Sequence, residues 1–290
     1  MKKVIFIFLI FILFFSFQCK KNEIKKNVTV SILPQKYFVK RITGDKFNIN
    51  VMVGPGLEPH TYEPLPKQMI ELSDSELYFT IGLPFEEVLL KKISNINKNI
   101  KIIKTQEGIV LREFNGYESH DNKEGDYQNN RDPHIWLSPK LVEIQAKNIY
   151  NAVVLFDPGN KDFYKKNFDE FILDLENLSR GIKEAFSNIR NKEFVVFHPS
   201  WGYFADEFGL KQIPIEVEGK EPTPKQLASI IKLAKEKNIK VIFVQKQFSM
   251  TSAKAIAKEI NGIVVAIDPL SEDYINNLRN ITETIKKYIR

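Results

Sequence analysis

The chain has 290 residues, enough for two ordinary domains, and its 43% hydrophobic content is that of a globular protein with a sizeable core. Its 42 basic and 36 acidic residues give a formal net charge of +6. Because these charges are interspersed and form no long basic run, we do not expect the protein to bind nucleic acid.

The first residues have the pattern of an export signal. A short positive start precedes the almost wholly apolar residues 4–17, a stretch too short for a comfortable membrane span. The single cysteine, Cys19, follows directly, as in bacterial lipoprotein signals whose cysteine is lipidated. Residues 16–18 are atypical of such signals, so a plain signal peptide or an uncleaved anchor stays open. We predict an exported protein with a signal over 1–18 and a flexible tether over 19–26.

Short strands alternate with helices after the tether, which favours a mostly parallel sheet. Residues 27–156 are therefore predicted to form an N-terminal lobe. Its strands are expected at 28–32, 47–53, 77–81 and 100–103, and its helices at 38–42, after Pro66, at 85–92 and from Pro139 to about 154. Ligands of such sheets bind in loops beyond the carboxyl ends of the strands. His60 lies in a glycine- and proline-rich loop of this kind.

Residues 112–131 interrupt the pattern because they have almost no apolar content. Such a composition predicts a mobile surface loop within the first lobe. The loop holds His120 among acidic residues. A solvated loop is the plain interpretation, and a weak accessory site that gathers metal is the alternative.

A long connecting helix is predicted over residues 157–190. Asp157 and Pro158 have the pattern of a helix start, with aspartate as N-cap. About 30 residues at ~1.5 Å each would form a rod of roughly 45 Å. Such a rod would join two lobes more stiffly than hinge strands do. The predicted apolar stripe recurs at spacings of three and four and comprises Phe168, Phe171, Leu175, Leu178, Ile182, Phe186 and Ile189.

The alternation resumes over residues 191–290, the predicted C-terminal lobe. Two of its strands end directly in candidate ligands, His198 and Asp268. Its strands are expected at 194–197, 213–217, 241–244 and 263–267, and its helices after the Thr223 capping box, at 252–260 and at 272–289. The predicted fold class is therefore α/β, with two lobes of mostly parallel sheet, one long rigid helix between them, and a cleft that holds the site.

Three of the four histidines lie beside a proline, namely His60, His134 and His198. A single loop histidine is more often a hydrogen-bonding residue than a ligand. Proline, however, fixes the local backbone and reduces the freedom that a ligand loses on binding. With Asp268 the set offers three imidazoles and a carboxylate, which suits zinc, whereas carboxylate-rich sets suit manganese. Because the four residues are far apart in sequence, spacing alone leaves the metal site open.

Five blocks, in this order, resemble the solute-binding proteins of bacterial zinc and manganese ABC uptake transporters, the class called cluster A-I. The blocks are GLEPHTYEP at 56–64, DPHIWLSP at 132–139, FHPSWGYF at 197–204, EGKEPTP at 218–224 and IDPL at 267–270. The resemblance covers essentially the whole mature chain. It implies a metal buried between two β/α lobes, with His60, His134, His198 and Asp268 as ligands. A histidine at 198, where many manganese-type members have glutamate, indicates the zinc type.

The resemblance also implies capture and delivery of a divalent metal ion, and no catalysis. Zinc, or manganese as the alternative, would pass to a membrane permease from a monomeric carrier at the periplasm or cell surface, anchored through lipidated Cys19. Zinc members often have a histidine-rich loop before the second ligand, but residues 112–131 hold only His120. The sequence leaves two further functions open, a surface adhesin and a zinc hydrolase. The hydrolase lacks support because the chain has no His-Glu-x-x-His motif and four protein ligands leave no open position.

Overall fold

A computed structural model describes residues 25–113, 131–216, 223–248 and 250–289. Within these ranges the chain forms two four-stranded sheets in which neighbouring strands are parallel. The predicted signal, Cys19, His120 and most of the block at 218–224 lie outside the described residues. A search of the described helices finds none with the length and apolar character to cross a membrane.

The first sheet has the strand order β2-β1-β3-β4 and forms the N-terminal lobe with four helices. The strand predicted at 47–53 has those bounds in the structure. The strands are β1 Lys26–Ile32, β2 Phe47–Val53, β3 Leu77–Thr80 and β4 Lys101–Lys104, and the helices are α1 Leu33–Thr43, α2 Pro66–Ser73, α3 Pro84–Ile96 and α4 Pro139–Phe156.

The first turn of helix α3 contains a buried carboxylate, Glu86. Its two oxygens accept hydrogen bonds from the backbone N–H groups of Ile81, Gly82 and Leu83, at 2.7–3.2 Å. The Ser31 hydroxyl also donates to it. Burial raises the pKa of Glu86 to about 7, and these hydrogen bonds oppose the shift.

The raised pKa of Glu86 predicts a pH dependence of folding stability. Between the ordinary pKa of 4.5 and about 7, the folded state holds the proton more tightly than the unfolded state does. Stability should therefore fall as pH rises through this window, by up to ~1.4 kcal/mol per pH unit. In urea unfolding of the metal-free protein at pH 5, 6 and 7, Glu86→Gln should remove this contribution. Glu87→Gln, at an exposed neighbour, should not. If the free energy of unfolding changed with pH by the same slope in wild type and in Glu86→Gln, the prediction would be wrong.

The long connecting helix is shorter than predicted. Helix α5 spans Lys161–Phe186, 26 residues, or about 39 Å at 1.5 Å per residue. Asp157 does not cap it, because its carboxylate accepts hydrogen bonds from Asn160 Nδ2 at 2.8 Å and from the Tyr164 hydroxyl at 2.5 Å. A 3₁₀ turn, Pro158–Asn160, precedes α5 instead. The predicted apolar stripe is confirmed at its five central members, Phe171, Leu175, Leu178, Ile182 and Phe186, which are buried.

The second sheet has the strand order β6-β5-β7-β8 and forms the C-terminal lobe. Helix α6 in this lobe was not predicted, because it has only seven residues and follows the His198 loop without a polar cap. The strands are β5 Glu193–Val196, β6 Lys211–Pro214, β7 Val241–Gln245 and β8 Ile263–Ile267, and the helices are α6 Gly202–Phe208, α7 Pro224–Glu236, α8 Met250–Glu259 and α9 Tyr274–Tyr288. The predicted capping box of Thr223 and Gln226 is present at α7.

The two lobes share one apolar core on the side of α5. Phe38 of α1 lies 4.9 Å from Tyr274 of α9 and 5.9 Å from Phe171 of α5, measured between ring centroids. Buried residues of both sheets, such as Val30 and Phe243, belong to the same cluster. Since each fully buried side chain of this size contributes about 1.5–3 kcal/mol, a motion that separated the lobes widely would be costly.

Candidate metal centre

Three of the predicted ligands meet at the seam between the lobes. The ring nitrogens of His60, His134 and His198 lie within 4.8 Å of one another. Nε2 of His134 is 3.2 Å from Nε2 of His60 and 3.3 Å from Nε2 of His198. Nitrogens bound at 2.0–2.1 Å to a tetrahedral zinc ion are about 3.3–3.4 Å apart. Both of these Nε2–Nε2 distances therefore match the edge of a zinc coordination tetrahedron.

Each histidine reaches this point from a different connection. His60 lies in the loop between β2 and α2, and His198 lies two residues after β5, so both follow the carboxyl ends of parallel strands as predicted. His134 precedes a 3₁₀ turn, Ile135–Leu137, which leads into α4. The seam is thus built from both sheets and from the segment that enters α4.

Two buried carboxylates orient two of the rings. Nδ1 of His134 lies 2.7 Å from Oδ1 of Asp132, and Nδ1 of His198 lies 2.6 Å from Oε2 of Glu216. A carboxylate acceptor keeps the proton on Nδ1, so we assign the lone pair of each ring to Nε2. Two lone pairs that face each other at 3.3 Å repel unless a cation lies between them.

Neither Asp132 nor Glu216 was assigned a role from the sequence. Asp132 precedes His134 by two residues within the same block, so the sequence alone indicates that the two side chains can lie close together. Glu216 follows His198 by 18 residues and comes close only because β6 lies beside β5 in the second sheet. No sequence spacing identifies that pairing.

Burial favours the neutral form of two of the imidazoles, those of His60 and His134. Burial lowers the pKa of His60 to about 2, and the neighbouring rings of His134 and His198 add to the shift. Burial also lowers the pKa of His134, against the opposing effect of Asp132. Neutral imidazole is the form that binds metal, so these two rings are ready to bind at neutral pH. His60 is the most accessible of the three, with 27% of its side chain exposed, against 4% for His134 and for His198.

Asp268 is not among the three side chains that converge. It follows β8 as predicted, and its Oδ1 accepts hydrogen bonds from the Leu270 N–H at 3.0 Å and from Gln247 Nε2 at 3.4 Å. Its Oδ2 lies 3.6 Å from Nζ of Lys246. Its assignment as the fourth ligand stays a prediction. Glu58 is another carboxylate near the histidines, with Oε1 4.0 Å from His60 Nε2.

Aromatic rings cover the buried side of the histidines. The Trp136 ring lies 5.1 Å from the His134 ring, and the Phe248 ring stacks on His198 with centroids 5.0 Å apart and an interplanar angle of 18°. Apolar surroundings of this kind exclude water and strengthen the electrostatic attraction between ligands and a cation.

A two-lobed α/β fold with parallel sheets, and three histidines facing one another at the seam, defines a metal-capturing binding protein. The family model described as zinc-uptake complex component A, periplasmic, matches residues 28–288. The chain belongs to this family. Its predicted fold class and family are therefore confirmed. The family is a transport component and not an enzyme, which removes the hydrolase alternative.

Relatives and solved structures agree with this assignment. The chain is 32% identical over 251 residues to the high-affinity zinc uptake system protein ZnuA of Bacillus subtilis, covering 85% of this chain and 79% of the relative. It is 28% identical over 269 residues to the zinc-binding lipoprotein AdcA of Streptococcus pneumoniae, covering 91% of this chain but only 52% of the relative. A crystal structure of ZnuA superposes with a TM-score of 0.85 at 40% identity, covering 92% of this chain and 100% of that one.

Two further structures show how functions vary on this fold. The laminin-binding protein Lmb of Streptococcus agalactiae, described as a bifunctional protein with adhesin and metal transporting activity, has a TM-score of 0.80 at 26% identity. A manganese-bound mutant of a periplasmic metal-binding protein of Candidatus Liberibacter asiaticus has a TM-score of 0.78 at 25% identity. Each covers 92% of this chain and 100% of its own.

Proposed function

We propose that this chain captures zinc outside the cytoplasm and delivers it to the permease of an ABC transporter. His60, His134 and His198 would bind the ion through Nε2, and Asp268 would complete the site. The observation that carries the proposal is the set of three Nε2 atoms, two of whose separations are 3.2 and 3.3 Å, close to the edge of a zinc tetrahedron.

The donor set supports zinc over manganese. Imidazole nitrogens bind zinc more tightly than manganese, which lies at the weak end of the divalent series and favours oxygen ligands. The names of the ZnuA and AdcA relatives also specify zinc. The manganese-bound relative supports manganese as the alternative cargo, and the carboxylate at position 268 would then contribute more to binding.

The finer details of location are part of the proposal. We expect cleavage of residues 1–18, lipidation of Cys19, and a monomer attached to the membrane through the tether over 19–26. The AdcA relatives named as lipoproteins support this expectation. Labelled palmitate should be incorporated into wild type and not into Cys19→Ala. We also keep the predicted borders of the lobes, 27–156 and 191–290, as expectations.

The metal-binding proposal predicts one tightly bound zinc ion per chain. Mature protein stripped of metal should take up one equivalent in isothermal titration, and zinc should displace manganese in a competition experiment. A variant with alanine at His60, His134 and His198 together should lose tight binding. Tight zinc binding by that triple variant would show that the ligands are elsewhere, and tighter binding of manganese by wild type would overturn the choice of cargo.

A further inference from the structure

The three histidines are attached to the body of the protein in two different ways. The His60 loop is held within the first lobe by Gln68 of α2. Nε2 of Gln68 donates to the Met52 carbonyl at 2.6 Å, and Oε1 accepts from the Tyr62 hydroxyl at 2.7 Å and from the Leu65 N–H at 3.0 Å. His60 therefore moves with β2 and α2.

The His134 segment, residues 131–138, is bonded to the second lobe. The Tyr203 hydroxyl donates to the Asp132 carbonyl at 2.8 Å and accepts from the Arg112 N–H at 2.9 Å. Trp136 Nε1 donates to the Pro269 carbonyl at 2.8 Å. The Ser138 hydroxyl donates to Glu207. These bonds fix both flanks of His134 to the lobe that contains His198.

Helix α6 is the element that makes most of these bonds. It begins four residues after His198, and Tyr203 and Glu207 lie one turn apart on it and therefore face the same side. Its first residue touches the segment closely. A Cβ atom on Gly202 would lie 1.9 Å from Arg112 Nη1 and 2.9 Å from Asp132 Oδ2. A side chain at position 202 does not fit between α6, Arg112 and Asp132, so His134 and His198 are coupled through a short and well-packed path.

We propose, on the basis of the zinc-binding function proposed above, that His134 and His198 form a preassembled half-site on the second lobe. His60 is the ligand whose bond to the ion forms and breaks through a small motion of one lobe relative to the other. Tyr203 is a positioning residue for His134. The exposure of the three side chains fits this order, because the two members of the half-site are 4% exposed and His60 is 27% exposed.

The His134 segment could instead be attached to the first lobe. Helix α4, which follows Ser138, packs against α1 of the first lobe. A segment that moved with α4 would carry His134 together with His60. The bonds from Tyr203, Trp136 and Glu207 distinguish the two cases, so removal of one of them tests which lobe controls His134.

The half-site makes the three ligands unequal. Without His60, two preassembled nitrogens still hold the ion, although it should dissociate faster. Without His134 or His198, the half-site itself is lost. We therefore expect His60→Ala to retain higher zinc affinity than His134→Ala or His198→Ala, and this order can be measured by competition with a chelator of known affinity.

The decisive experiment is a double-mutant cycle with Tyr203→Phe, which removes the hydroxyl and keeps the ring. Burial raises the pKa of Tyr203 to about 12, so the hydroxyl is a donor at neutral pH. We expect zinc affinity to fall roughly 10-fold, at the lower end of effects seen for groups that support metal ligands. The same fall should occur in the His60→Ala background, and it should vanish in the His134→Ala background.

The matched control is Tyr164→Phe. Tyr164 is a buried tyrosine whose hydroxyl also makes a hydrogen bond, to Asp157. The Tyr164→Phe substitution should leave zinc affinity unchanged. If Tyr203→Phe does not fold, the order of the three histidine variants still decides the question.

The possible failures are distinct. A folded Tyr203→Phe variant with unchanged zinc affinity would overturn the proposal. A fall that persists without His134 and vanishes without His60 would assign Tyr203 to the other ligand and overturn the proposal as well. Equal losses in the three single histidine variants would overturn the half-site and leave the zinc-binding function standing. A wild-type protein that binds no zinc would overturn both.

Discussion

Replacement of His134 by alanine should lower zinc affinity by roughly 100- to 1,000-fold. Structural zinc sites bind with about 10–16 kcal/mol, or roughly 2.5–4 kcal/mol for each of four ligands, and every ~1.4 kcal/mol is tenfold in affinity. His134 Nε2 lies 3.2 Å from His60 Nε2 and 3.3 Å from His198 Nε2. Its loss therefore removes the ligand whose Nε2 lies close to those of both other histidines.

The same substitution should lower folding stability of the metal-free protein. Asp132 is buried and makes hydrogen bonds both to the His134 ring and to its backbone N–H. Without the ring, the carboxylate loses a partner, which costs about 1–3 kcal/mol for a buried polar group. Zinc affinity is measured by competition with a chelator, and stability by urea unfolding.

The control for His134→Ala is His120→Ala, the same change at the one histidine outside the predicted set of ligands, His60, His134, His198 and Asp268. It should alter zinc affinity little. A variant lacking His134 that binds zinc as tightly as wild type would remove His134 from the site. A large loss in His120→Ala would instead favour the accessory site considered for residues 112–131.

Replacement of Glu216 by glutamine should lower zinc affinity by about 10- to 100-fold, the usual effect of losing a carboxylate that orients a metal-binding histidine. Glu216 accepts the Nδ1 hydrogen of His198 at 2.6 Å. A glutamine amide that donates to Nδ1 would shift the proton to Nε2, the atom that should bind the ion. The affinity would then fall although all three histidines remain in place.

The matched control is Glu193→Gln in the same lobe. Glu193 lies on β5 and pairs with Lys211 and Lys237, away from the histidine rings. Exposed and half-exposed ion pairs contribute about 0–1 kcal/mol to stability, so this variant should fold and bind zinc as wild type does. Equal losses in the two variants would mean that the effect of Glu216→Gln is not specific to His198.

Sequence patterns were sufficient to predict features that depend on residues adjacent in the chain. The alternation of residues 47–53 and the apolar run of residues 263–267 predicted strands with the observed bounds. The prolines beside three histidines marked the residues that converge in the structure. Local chemistry determines such features, because loops and strand ends are specified by residues adjacent in the chain.

The start of α5 was not predicted, although the groups that hold Asp157 are near it in the chain. Asp157 has the pattern of a helix cap, yet Asn160 and Tyr164 donate hydrogen bonds to its carboxylate and the helix begins later. Features that depend on distant partners were not predicted either. Glu216 meets His198 only through the pairing of β5 and β6. Helix α6 is too short to show a period, and its role becomes visible only where Tyr203 reaches Asp132. Contacts between separate elements decide the cases of Glu216 and α6.

The shared apolar core limits how much the shape of this carrier can differ between its empty and its metal-loaded state. Because α1, α5 and α9 pack together across both lobes, empty and loaded molecules should have nearly the same outline. A permease that recognises the outline would admit both, and empty molecules would then act as competitors of loaded ones. The rate of import would then follow the metal-loaded fraction of the carriers more closely than their number. The few residues around His60 would be the surface by which a permease distinguishes loaded from empty molecules.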